Sequence, residues 1–315
     1  MATVAILGAG GAIGSELVKQ LAGRKLRIRL VGRNPKMMSG AAEVVAADLS
    51  DRDATLKAIS GSSVAFLVAG LKYDLKLWCE VWPRIMQNTI EAAKRAKARL
   101  VFLDNVYMYG KVNGVMTEDT PLHPSSKKGE VRAQIATMLL NEMKNGTLTA
   151  LIARAADFYG PDTRTGIPNV LVLDNMAKGK KAMWLMNDSR KHSLSFTLDI
   201  ARSLVLLANN ESAWNQTWHV PTAPNPHTGK EFIRMAGDEF HVAPKYRVLN
   251  RAMVWGAGWF DSNIREVYEM LYQYEFDYVF DSTKFTRAFG FQPTTYAEGI
   301  HITAQSYPRA AQRAA

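Results

Sequence analysis

Six short runs dominated by Val, Ile, Leu and Ala recur through the first half of the chain: 3–7 (TVAIL), 27–31 (RIRLV), 43–47 (EVVAA), 64–69 (VAFLVA), 99–104 (RLVFLD) and 149–154 (TALIAR). Their near-continuous apolar character predicts strands buried on both faces. The segments between them, 14–23, 51–60, 77–98 and 129–144, are amphipathic at helical spacing. Strand alternating with helix predicts an α/β chain whose strands form a parallel, doubly wound sheet. Asp51 is placed to cap the second helix, and Pro83 predicts a kink or a late start in the third.

After about residue 157 the regularity weakens, and segments such as FYGPDTRTGIPN and HVPTAPNPHTGK bring in Pro and Gly turns. A smaller second lobe is expected there. It is discontinuous, because 192–210 again reads as a strand and helix returning to the main sheet, followed by the short strand TWHV. The aromatic-rich segment 259–280 is expected to form the core and rim of that lobe, and it suits an apolar or planar ligand rather than a bare sugar.

Composition narrows the class. Apolar residues make up 47% and charged residues 22%, with no low-complexity tract or repeat, as in a folded globular chain. The single cysteine, Cys79, forbids an intramolecular disulfide or a multi-cysteine metal site, and within DLKLWCEVW it reads as buried packing. The six histidines stand singly, so no metal site is expected. With no apolar run of about eighteen residues and no secretory signal, a cytoplasmic location without membrane contact is expected. The formal charge of +10 suits an anionic partner such as a phosphorylated cofactor better than nucleic acid, because the basic residues are scattered. The densest basic run, Lys94 to Arg99, reads as a solvated helix end that complements the helix C-terminus.

Candidate chemistry begins at VAILGAGGAIGSELV. Gly8, Gly10, Gly11 and Gly14 fall between the first strand and the first helix. Gly8 suits a tight turn, Gly11 lets a pyrophosphate approach the backbone, and Gly14 permits close helix-to-strand packing, while Ala12, Ile13 and Gly14 offer helix N-terminal N–H groups. This is the context of a Rossmann-type dinucleotide site. The second strand ends at LVGRNP, where Arg33 replaces the acidic residue that holds the ribose of NAD(H). A guanidinium forks onto a 2′-phosphate, so NADP(H) is expected over NAD(H), the alternative being a plain turn arginine. Asp48 and Leu49 follow the third strand, Asp48 either meeting the adenine or capping a helix. Ala69 and Gly70 follow the fourth strand and suit the crowding beside the central riboses. Residues 1–157 with about 192–220 are assigned to the dinucleotide domain, and about 158–191 with 221–315 to the substrate lobe.

The blocks GAGGAIG, EAAKRAKARLVFLDNVYMYG (91–110), EDTPLHPSSKKGEVRAQ (118–134), ARAADFYGP (153–161), FTLDIARSLVLL (196–207) and FDSTKFTRAFGFQPTTYAEGI (280–300) occur in a specific order. In that order the chain resembles the extended branch of the short-chain dehydrogenase/reductase superfamily, the group of nucleotide-sugar epimerases and dehydratases. The resemblance implies a nucleotide-binding lobe, a C-terminal substrate lobe and hydride transfer at a nicotinamide. It also implies a Ser or Thr where this chain has Asn105, and a Tyr-x-x-x-Lys pair where it has Lys128 and Arg132. The asparagine of the YGP block is Asp157 here.

With the usual acid/base pair replaced, three groups are candidates for the chemistry. Lys128 either gives a proton, if burial and the nearby Lys127 and Arg132 destabilise its ammonium, or holds the ribose, or is a solvated helix-start lysine. Tyr107, at the carboxyl edge of the sheet, either supplies the phenol or packs there. Asn105 can donate an amide hydrogen bond to the substrate oxygen. Asp157, Tyr159 and His192 are the substrate-side candidates, His192 as acid/base or, preferably, as a loop-orienting residue. The leading reading is an NADP(H)-dependent oxidoreductase acting on a small carbonyl or hydroxyl compound. The alternatives are a sugar-nucleotide epimerase/dehydratase and a non-catalytic NADP(H)-sensing regulator. The partners expected are a small-molecule substrate and, for a homodimer, a second copy of the chain.

Overall fold

The computed structural model describes residues 1–308. The first apolar run forms β1 (Ala2–Leu7), and the glycine turn after it opens α1 (Ala12–Leu21). β2 (Leu26–Gly32) and β3 (Glu43–Ala46) follow, then α2 (Arg52–Ile59) and β4 (Ser62–Leu67). The long α3 (Leu75–Ala96) leads to β5 (Arg99–Asp104), a 3-10 turn at Tyr107–Tyr109 and the two-residue β6 (Val115–Met116). α4 (Lys127–Lys144), β7 (Ala150–Arg154) and β8 (Asp157–Tyr159) complete the first half. A π-helical turn at Asn169–Leu173 runs into α5 (Asp174–Ala177), before β9 (Ala182–Leu185) and β10 (Leu194–Phe196). The rest comprises α6 (Thr197–Ala208), β11 (Thr217–His219), α7 (Gly229–Phe240), β12 (Tyr246–Leu249), α8 (Arg251–Ala257), α9 (Ser262–Val267), β13 (Val279–Phe280), α10 (Thr283–Phe289) and α11 (Tyr296–Gln305).

Seven strands pair in the order β11-β7-β5-β4-β1-β2-β3, every pair parallel, which is the doubly wound α/β sheet that the strand–helix alternation predicts. β3 is its edge. Val44 there is 39% exposed, so an apolar run that reads as fully buried loses cover on its outer side. The core of this layer is built from Leu7, Leu67, Phe102 and Ile152 of the strands and Trp82, Ile85, Met86, Ile135 and Leu139 of α3 and α4.

The chain divides into two compact units: residues 1–110, 121–155 and 200–220, and residues 111–120, 156–199 and 221–308 as far as they are described. Two segments depart from the expected partition. Residues 111–120 join the second unit, where β6 pairs with β13. The strand expected to return to the main sheet is β10, and it pairs with β8 in the second unit instead, while β11 does pair with β7. Three residues of β10 carry too little pattern to say which sheet receives them.

Other local expectations are also revised. α3 starts at Leu75 and runs through Pro83 rather than beginning after it. Cys79 is exposed, because the buried stripe of α3 runs through Trp78, Trp82, Ile85, Met86 and Thr89 and passes one position away. In the aromatic segment of the second unit, Leu271, Tyr272, Tyr274 and Tyr278 are buried, whereas Trp259 and Phe260 are exposed. Among the described residues no helix is long and apolar enough to cross a membrane.

Candidate functional site

The glycine turn is shaped by contacts that exclude a side chain at two positions and leave space at two others. Gly8 has φ +101, and a Cβ on it would lie 2.4 Å from the Ala69 Cα, so the turn rests on the segment after β4. At Gly14 a Cβ would lie 2.6 Å from the Gly8 carbonyl oxygen, which lets α1 start tight against the turn. A Cβ at Gly10 meets nothing within 4 Å, and at Gly11 only the Gly8 oxygen at 3.6 Å. No side chain caps α1, whereas Asp51, Asp74 and Ser126 cap α2, α3 and α4. The open surface over Gly10 and Gly11 and the uncapped N–H groups of Ala12, Ile13 and Gly14 therefore fit a pyrophosphate. Ile13 is buried and offers only backbone. Ala69 lies against this turn, and Gly70 beside it has no neighbour crowding its Cα.

Where an adenosine contact is expected from the sequence, Arg33 is exposed one residue beyond β2. Asp48 accepts hydrogen bonds from the Ser50 N–H (2.9 Å) and hydroxyl (2.8 Å), which hold its carboxyl below the usual range, with Arg33 and Arg84 adding attraction. Asp51, not Asp48, caps α2 by accepting from the Ala54 N–H at 2.7 Å. Leu49 turns its side chain inward, and its carbonyl accepts from the buried Asn88 amide (3.0 Å) and from Thr55 (3.1 Å). Asn88 lies inside α3, where nothing in its sequence neighbourhood marks it.

The start of α4 forms a second cluster in the same unit. The Ser126 hydroxyl caps it by accepting from the Gly129 N–H (3.0 Å). A Cβ on Gly129 would lie 2.6 Å from the Tyr107 carbonyl oxygen, so the first turn of the helix abuts the 3-10 turn after β5. Lys128 is 1% exposed and its Nζ lies 4.6 Å from the Tyr73 ring centroid, which removes the solvated-lysine alternative. Tyr107 is half-buried and stacked on Trp78 at 6.4 Å, and Trp78 meets Tyr73 edge-on at 5.4 Å. Asn105 Oδ1 accepts from the Tyr107 N–H (3.1 Å), which leaves its amide N–H groups as the donor end. The two like charges invoked around Lys128 are each paired: Lys127 with Glu130 at 2.9 Å, and Arg132 with Asp104.

Arg132 is withdrawn into the core. Its Nε donates to Asp104 Oδ1 at 2.7 Å, its Nη2 donates to the same oxygen, and its guanidinium lies 4.6 Å from the Trp82 ring centroid and 5.2 Å from that of Phe102. Asp104 Oδ2 has no hydrogen bond among the described residues. Burial pushes this carboxyl above its usual range, against the pull of Arg132 and Arg154. Asp104, Arg154 and His219 are the last residues of β5, β7 and β11 and lie in register, so they face the same side of the sheet. Arg154 Nη1 donates to the Tyr109 hydroxyl at 2.7 Å, and that oxygen lies 2.7 Å from His219 Nε2. The sequence reading missed this row; its only signal is a polar residue closing each of three apolar runs.

In the second unit, Asp157 Oδ2 accepts hydrogen bonds from His192 Nε2 (3.0 Å) and the Tyr274 hydroxyl (3.0 Å). The His192 ring is stacked between Tyr274 (4.4 Å) and Tyr278 (5.2 Å) and is 3% exposed, an orienting position. Tyr159, expected to face a ligand, is 1% exposed and packed among Phe196, Phe232 and Tyr296, with Gly299 above its hydroxyl. Burial pushes its phenol well above the usual range. The period of a three-residue strand cannot tell which side faces a core supplied by α7 and α11, and here Tyr159 takes the core side.

Residues 4–220 match the model of the NAD dependent epimerase/dehydratase family. The chain belongs to this family. A curated relative, the 3-diazoavenalumate denitrifying reductase of a Streptomyces species, is 28% identical over 175 residues, which is 51% of this chain and 57% of the reductase. Among solved structures, a dTDP-glucose 4,6-dehydratase of Streptomyces venezuelae with NAD bound superposes with a TM-score of 0.79 at 17% identity, over 97% of this chain and 96% of that one. A UDP-glucose 4-epimerase of Thermotoga maritima gives 0.80 at 16% identity, over 97% and 98%. These two similarities concern the fold of this family member.

Proposed function

We propose that this family member is an NADP(H)-dependent reductase of a small carbonyl compound, in which Lys128 and Tyr107 take over the work of the absent Tyr-x-x-x-Lys pair. The nicotinamide, when bound, supplies hydride. Gly8, Gly10, Gly11, Ala12, Ile13 and Gly14 hold the pyrophosphate through backbone, and Arg33 forks onto the adenosine phosphate. Asp48, Leu49, Ala69 and Gly70 border the adenine and riboses. The reductase relative supports reduction over epimerisation or dehydration.

The observation that carries the reading is the burial of Lys128 at the α4 start, against Tyr73 and one residue from the contact with Tyr107. An ammonium is kept in such a place only by compensating contacts, and it stabilises negative charge developing on an oxygen nearby. Tyr107, partly buried at the sheet edge, delivers the proton, and Asn105 donates its amide to the same oxygen.

The test is NADPH and NADH titration with steady-state turnover across a panel of aryl and alkyl carbonyls. NADPH binds more tightly than NADH, and Arg33→Asp removes a preference of about 1.5 to 3 kcal/mol. Tyr107→Phe lowers kcat by about a hundredfold with cofactor affinity unchanged, while Lys128→Met lowers turnover and weakens NADPH binding. Full activity in both variants, or no turnover across the panel, refutes the reading.

A further inference from the structure

We infer that the second unit binds its ligand through Asp157 Oδ1, and that this ligand is an uncharged compound presenting a hydroxyl, not a nucleoside diphosphate. The inference concerns the second unit alone and goes beyond the reductase reading by giving that unit a ligand class.

The Asp157 carboxylate is fixed from one side only. His192 Nε2 and the Tyr274 hydroxyl both give their hydrogen bonds to Oδ2 at 3.0 Å, and a carboxylate oxygen can only accept, so both partners are donors. Oδ1 carries no hydrogen bond among the described residues, and it is not sealed in the core: the side chain keeps 12% of its surface. The support behind Oδ2 is rigid. His192 is clamped between Tyr274 and Tyr278, with Trp184 edge-on at 6.3 Å, and the Tyr278 hydroxyl accepts from Gln273 at 2.7 Å. The carboxylate thus presents one acceptor of fixed direction with its other oxygen saturated, which is how a donor on a ligand is read.

The same arrangement is hostile to a diphosphate. No Lys or Arg hydrogen-bonds Asp157, and its neighbours are a histidine and tyrosine rings, so a phosphate brought to Oδ1 meets a like charge among groups that screen poorly. A neutral hydroxyl meets a strong acceptor there. An asparagine at this position, as the family resemblance implies, would present a softer acceptor and a donor as well, so aspartate narrows the ligand to donors.

The test uses a matched pair of probes, 4-hydroxyacetophenone and 4-methoxyacetophenone, with UDP as the diphosphate, titrated calorimetrically into the NADP⁺-loaded full-length protein. The hydroxyl probe is expected to bind at least tenfold more tightly than its methyl ether, and UDP to bind more weakly than either. In Asp157→Asn the preference falls below about threefold, while NADP⁺ affinity and thermal midpoint stay near those of the parent. Tyr274→Phe, which leaves the carboxylate but frees one of its supports, reduces the preference partway and guards against a misfolded Asp157→Asn protein. An equal affinity for the two ketones, a preference that survives in Asp157→Asn, no binding of either ketone at millimolar concentration, or tighter binding of UDP overturns the inference. The readout is binding, so a hydroxyl preference without NADPH oxidation sinks only the reductase reading. Turnover with a preference indifferent to Asp157 sinks only this one.

Discussion

Asp104 and Asp157 are carboxylates, one in each unit, and they are stabilised in opposite ways. Asp104 has lost all contact with water and is answered by charge: Arg132 donates twice to one oxygen and Arg154 acts from the next strand. Asp157 keeps an edge toward solvent and is answered by His192 and the Tyr274 hydroxyl. The difference teaches where each carboxylate is useful. A buried charge with a charged partner is bound to its place and serves architecture, because separating the pair leaves an ion in the core. A partly exposed carboxylate held by a hydroxyl and an imidazole keeps its second oxygen open to solvent, where a ligand donor can reach it.

The contrast is broken most severely by removing the charge on one side only. Arg132→Leu leaves Asp104 buried and unanswered by its main partner, and it is expected to cost the first unit about 3 to 5 kcal/mol, read by urea unfolding. A loss below about 1 kcal/mol would show that Arg154 alone is a sufficient counter-ion. Arg132→Leu combined with Asp104→Leu removes both charges and is expected to regain most of that loss, since well-packed apolar replacements of buried pairs are often near neutral. A double variant as unstable as the single one would mean that packing around Trp82 and Phe102, not charge, is what Arg132 supplies.

The second unit should respond more mildly. His192→Phe keeps the stack between Tyr274 and Tyr278 but deletes one donor to a carboxylate that water can still reach, and a cost of about 1 to 2 kcal/mol is expected by the same denaturation. Tyr274→Phe should cost least, about 0.5 to 1.5 kcal/mol, because the ring and its packing remain. If either substitution matched the Arg132→Leu loss, the two carboxylates would not differ in kind.

Much of the first unit was legible before its structure. Strong apolar runs separated by amphipathic segments specify strands, helices and their alternation, and the glycine spacing marks a turn that few other sequences make. Gly8 and Gly14 are at the positions where a Cβ would strike Ala69 and the Gly8 oxygen. The second unit was less legible for a physical reason. Its strands are two to four residues long, shorter than the period needed to show which face is buried, so neither the partner of β10 nor the inward turn of Tyr159 was readable.

The sequence by itself determined the parallel α/β layer, the glycine turn with its uncapped helix, and two basic residues, Lys128 and Arg132, four positions apart at the start of α4, because these follow from local spacing and residue type. The tertiary structure alone decided where those two charges lie. Lys128 and Arg132 are one helical turn apart and carry the same charge, yet one lies over Tyr73 and the other is paired to Asp104 beneath Trp82. That division is set by side chains arriving from the segment before α3, from α3 itself and from β5, tens of residues away along the chain, and a charge is placed by the partners that surround it rather than by its neighbours in sequence.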